Sequence, residues 1–142
     1  MALIAVDLNA VREYSLACDT GDDKTVFLLG LLDAPLRAHV DDSSLSYSLN
    51  AAAPKDGPAD VKMNMNARAI DVVRFGLRGW KNFKDAQGRD VPFDRVSQAV
   101  PGVGNRHVVS DISMRALKTE WIRELAGEIT GDNTLADDEK KT

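Results

Sequence analysis

The stretch Asp60–Trp80, DVKMNMNARAIDVVRFGLRGW, carries the clearest periodic signal in the chain. Its apolar side chains Val61, Met65, Ala69, Val72, Val73, Leu77 and Trp80 recur at intervals of three and four residues. An α-helix turns once every 3.6 residues, so that spacing lines them along one face. It predicts a helix over about 60–80, with Asp60 as N-cap and Gly79 near the end. Gly76 weakens such a helix by about 1 kcal/mol relative to alanine. Its presence points to a neighbour that packs close.

Beyond Trp80, NFKDAQGRDVPFD carries a turn at Asp85–Gly88 between segments containing Phe83 and Phe93, which predicts a small hairpin or wing. VPGVGN, Val100–Asn105, reads as a second joint. A final helix is expected over about 110–130, with Ile112, Leu117, Trp121, Ile122, Leu125 and Ile129 on its apolar side. Ser110 can cap it and Gly131 can end it. Towards the N-terminus, Val11–Cys18 and Thr25–Leu32 read as strands of an antiparallel hairpin across the turn-rich DTGDDK. Asp33 caps a short helix with Pro35 in its first turn. SSLSYSLN then alternates serine with Leu45, Tyr47 and Leu49, a strand pattern, with an irregular segment as the alternative because serine is a weak strand former. Ala51–Ala59, with two prolines and a glycine, is a loop.

These elements predict an α+β fold: a small antiparallel sheet with hairpins and two main helices, about 60–80 and 110–130. One domain over 1–130 is expected, with a charged tail over 131–142. A chain of 142 residues, 44% hydrophobic and 28% charged, suits one globular domain. At this size roughly 70% of the extended-chain surface can be buried, so no metal or disulfide staple is required.

A net charge of -4 argues against a dedicated nucleic-acid binder, which needs a basic surplus to neutralise phosphates. One cysteine, Cys18, cannot make an internal disulfide and reads as a small apolar strand residue. MALIAVDLNA lacks the basic start and long apolar core of a signal peptide, and no apolar run approaches a membrane span.

The chemistry-bearing motifs fail on spacing. His39 and His107 have no HxxxH or CxxC context. Gly102 and Gly104 lack the third glycine or the lysine–hydroxyl pair of a phosphate loop. Ser110, His107 and Asp111 are sequence neighbours without a nucleophile elbow. The acid pairs Asp22–Asp23, Asp41–Asp42 and Asp137–Asp138 read as solvated charge. No catalytic, cofactor-binding or metal-ligating residue is assigned, and no cofactor or small-molecule substrate is expected.

One charge pattern stands out. Arg74, Arg78 and Lys81 follow i, i+4, i+7 spacing, with Lys84, Arg89 and Arg95 after them, whereas the N-terminal part is rich in aspartate. This pattern reads either as an ordinary solvated helix face or as complementary charge that orients copies of one chain head to tail. Trp80 and Phe83 are apolar anchors for core or interface. The candidate interface is therefore Arg74, Arg78, Trp80, Lys81, Phe83 and Lys84.

The segment Val72–Phe93, with its GW-x-NF-x-D-x-x-G-x-x-VPF cadence, resembles small morphogenesis proteins of tailed bacteriophages, of the tail-assembly-chaperone-like and virion-associated kinds. The hairpin, central helix, closing helix and charged tail match that layout. The resemblance implies a non-enzymatic protein that binds other virion subunits and itself, in the bacterial host cytoplasm during assembly and in the virion if retained. A transient chaperone, or a phage regulator of a host factor, is the alternative.

Overall fold

A computed structural model of the chain describes residues 2, 3, 5, 7, 9–51 and 58–131, the side chains of 43–65 excepted. The architecture is α+β. Among the described residues, a three-stranded antiparallel sheet, a separate two-stranded hairpin and four helices share one apolar core.

Strands β1 (Arg12–Tyr14) and β2 (Val26–Leu29) pair antiparallel, with Glu13 opposite Leu28, as the hairpin reading expects. β1 is shorter than Val11–Cys18 because the chain turns back after it. The Asp19 N–H donates to Leu16 O at 3.0 Å, and the Thr25 N–H donates to the Asp19 carboxylate at 2.8 Å. Cys18 is thus exposed on a turn, not a residue within a strand.

Helix α1 (Ala34–Ala51) starts where Asp33 accepts the Leu36 N–H at 2.9 Å, the expected cap. It runs on through SSLSYSLN, which corrects the strand expected there. No glycine or proline interrupts that stretch, and continuing a helix adds one hydrogen bond per residue fixed. The spacing of Leu45 and Leu49 is also a helical i, i+4 pair. Of the loop expected over 51–59, residues 52–57 lie outside the described residues, as do 132–142 of the expected tail.

Helix α2 (Pro58–Gly76) begins before Asp60, which therefore lies in its first turn and is not the cap. It also ends earlier than expected: Leu77–Lys81 is strand β3, paired antiparallel with β2. The physical reason is tertiary. The edge of β2 offers partners, and the ladder is extended by the Gly30 N–H donating to Gly76 O at 2.8 Å. The register skips Arg78, with Phe27 opposite Trp80, Leu28 opposite Gly79 and Leu29 opposite Leu77. This β-bulge places Leu77 and Trp80, three apart, on one face of the sheet. A spacing of three therefore imitates a helix while belonging to a bulged strand.

The expected turn at Asp85–Gly88 is present, closed by Gly88 N–H to Asp85 O at 3.0 Å. VPGVGN is the tight turn of a hairpin between β4 (Arg95–Val100) and β5 (Gly104–Val109). Gly102 and Gly104 adopt φ of 77° and 106°, which only glycine tolerates freely.

The last helix is two. Ser110 caps α3 (Asp111–Met114), accepting the Ser113 N–H at 3.2 Å. The chain turns before α4 (Thr119–Thr130), which Gly131 ends at φ 83° as expected. The turn buries Leu117. It leaves Ile112 76% exposed, so Ile112 does not belong to the apolar face assigned to it. On α4, Ile122, Leu125, Ala126 and Ile129 are buried against α2 at helical spacing. The crossing is close: a Cβ on Gly76 would lie 2.6 Å from Ile129 Cγ2. Among the described residues, no helix is long and apolar enough to cross a membrane.

Candidate functional site

The six residues singled out by sequence do not share one helix face, because the helix stops at Gly76. Arg74 remains on α2 and pairs with Asp111 at 2.7 Å. That guanidinium holds the Asp111 carboxyl below the usual aspartate range through its hydrogen bond and its charge. Lys81 closes β3 and pairs with Glu13 at 3.2 Å, and Lys84 pairs with Asp90. The basic stretch is thus partly neutralised within its own chain. Arg68 with Asp41 and Arg106 with Asp33 draw on the acidic N-terminal part in the same way.

Trp80 and Phe83 belong to an intramolecular aromatic group. Trp80 meets Phe83 and Phe93 edge to face at 4.9 and 4.8 Å, and Phe27 lies 6.3 Å from Trp80. Aromatic quadrupoles favour this T-shaped geometry. The indole N–H donates to Val91 O at 2.8 Å, so the polar end of the half-buried ring is satisfied.

Arg78, the bulged residue of β3, is the one the fold treats differently. It is half-buried over Gly30, where an added Cβ would lie 2.2 Å from its Nε. With Arg95 at the start of β4 and Arg106 on β5 it lines a cavity of about 460 Å³, together with Asp33, Asn105 and His107. Burial pushes the Arg78 guanidinium below its ordinary pKa, with the Asp33 charge opposing. Burial does the same to Arg95, and repulsion from Arg78 adds to it. Arg78 donates to Leu31 O at 3.2 Å and Arg95 to His107 O at 2.7 Å, yet the Nε of each is buried with no partner. Among the described residues neither makes an ion pair. This convergence escaped the sequence reading, since the three arginines come from three strands. Recognising VPGVGN as a hairpin turn would have placed Arg95 and Arg106 on adjacent strands.

A second feature lies on β4. Val96, Ser97, Gln98 and Ala99 are all exposed, and among the described residues β4 pairs only with β5. Natural edge strands are usually blunted by charge, proline or a bulge. This one has an uncharged centre, and the Arg95 side chain at its start turns back to His107 O. Ser110, His107 and Asp111 are used otherwise: Ser110 as helix cap and Asp111 as the partner of Arg74. Among the described residues no three His, Cys, Asp or Glu side chains gather as a metal set.

No family model matches the chain, and neither the curated proteins nor the solved structures compared with it contain a match.

Proposed function

We propose that the chain is a non-enzymatic bacteriophage structural or assembly protein. It acts through protein–protein contacts with other virion subunits and with further copies of itself. The observation that carries this reading is the edge of β4, four consecutive exposed and uncharged residues on a strand that, among the described residues, pairs only with β5. Such an edge is a ready template for an extended segment of a neighbouring subunit, with main-chain hydrogen bonds giving affinity. The phage-like cadence of Val72–Phe93 supplies the biological setting, and in the fold that segment builds β3 and the aromatic group beneath it.

The test is mass spectrometry of purified phage particles and of assembly intermediates. Presence in particles supports a structural subunit, and presence in intermediates alone selects the transient chaperone. Absence from both defeats the proposal. A companion variant, Ser97→Lys with Gln98→Lys, puts charge on the edge without touching the core. It should fold normally and fail to co-assemble; undiminished incorporation would remove β4 from the argument.

A further inference from the structure

We propose that the cavity between β3 and the β4–β5 hairpin is a binding site for a phosphate-class dianion, with Arg78 and Arg95 as its charge partners. Three guanidiniums line the cavity, and one carboxylate, Asp33, stands against them. Asp33 is already engaged twice: one oxygen accepts the Leu36 N–H that starts α1, and the other pairs with Arg106 at 3.3 Å. Among the described residues, Arg78 and Arg95 are left as two half-buried like charges with no ion-pair partner, Asp33 acting on Arg78 only at longer range. Removing charges from water is costly unless they are paired and hydrogen-bonded. Among the described residues their hydrogen bonds are to one carbonyl each, and the two buried Nε–H donors have none.

The backbone is arranged around the same side chain. The register skip in β3 falls on Arg78, and bulges serve to re-aim a side chain. Gly30 leaves the space in which the Arg78 stem lies, since any larger residue there would meet its Nε. A phosphate dianion matches the Arg78 and Arg95 guanidiniums charge for charge, and its oxygens accept from planar donor forks. Asn105 and His107 add further donors along the lining.

The experiment uses the purified full chain, titrated with inorganic phosphate and, in a parallel arm, glycerol phosphate, at ionic strength held constant with sodium chloride. The readout is the arginine side-chain Nε–Hε resonances by NMR, with calorimetry for affinity. Saturable phosphate-dependent shifts of two such resonances are expected. Their loss in Arg78→Lys and Arg95→Lys assigns them to those residues. Each substitution keeps the charge, removes the fork and should weaken binding roughly tenfold or more. Arg115→Gln, outside the cavity, should bind as the parent does. Tighter binding of the ester identifies small phosphomonoesters as the source, and tighter binding of inorganic phosphate identifies the free ion; either supports the site. Two results overturn it. One is a phosphate response no larger than that to chloride; the other is a response that survives in the folded Arg78→Lys, Arg95→Lys double variant. If either lysine variant fails to fold, Asn105→Ala with His107→Ala, both exposed, tests the same lining; unchanged affinity there counts against the proposal.

Discussion

Replacing Gly76 with alanine should destabilise the protein although it removes a glycine from a helix. In an open helix the change would gain about 1 kcal/mol. Here the new Cβ would sit 2.6 Å from Ile129 Cγ2 and 3.0 Å from its Cδ1. Cγ2 branches from the Cβ of a stiff side chain that is only 4% exposed on α4, so relief requires the helix to move. Overpacking costs about 1–3 kcal/mol. A 2.6 Å approach to a branched, buried side chain belongs to the upper half of that range, about 2–3 kcal/mol, leaving a net loss of about 1–2 kcal/mol after the propensity gain. For a domain of this size that is a fall of about 3–8 °C in Tm. Urea unfolding followed by circular dichroism should show a lower midpoint with an unchanged slope. The cycle with Ile129→Ala sharpens the test. That change removes both clashing atoms at its own cost of about 2–5 kcal/mol. In that background Gly76→Ala should be neutral or stabilising. A single Gly76→Ala variant as stable as the parent, or additivity in the cycle, would refute the close α2–α4 crossing.

Two further outcomes are expected. Trp80→Ala opens the aromatic group and orphans Val91 O, and should cost about 3–5 kcal/mol in denaturant unfolding; a loss under 1 kcal/mol would show the ring to be dispensable to the fold. Asp71 on α2 has its carboxyl pushed above the ordinary value, by burial first, with Arg74 and His39 opposing. A raised native pKa means the folded state binds more protons than the unfolded state as pH climbs through that window, so stability falls across it. Asp71→Asn should therefore raise Tm at pH 7, with the gain shrinking as pH drops towards the unfolded aspartate value; an equal gain at every pH would remove burial of the charge as its cause.

Local chemistry written in consecutive residues was legible. The Asp33, Ser110 and Gly131 helix boundaries, the Asp85–Gly88 turn, the β1–β2 hairpin and the close packing at Gly76 each follow from a few neighbouring side chains. The α+β class follows from the same signals. What the periodicity left open was decided by partners distant in the chain. Leu77 and Trp80 fit a helical stripe equally well, and only the waiting edge of β2, with a bulge at Arg78, turned them into a strand. Leu45 and Leu49 satisfied both periods, and the helix already begun at Asp33 settled them. The arginine cavity is more strongly tertiary still. Arg78, Arg95 and Arg106 come together because two sheets meet there, and electrostatic neighbourhood depends on distance in space, which linear spacing does not record.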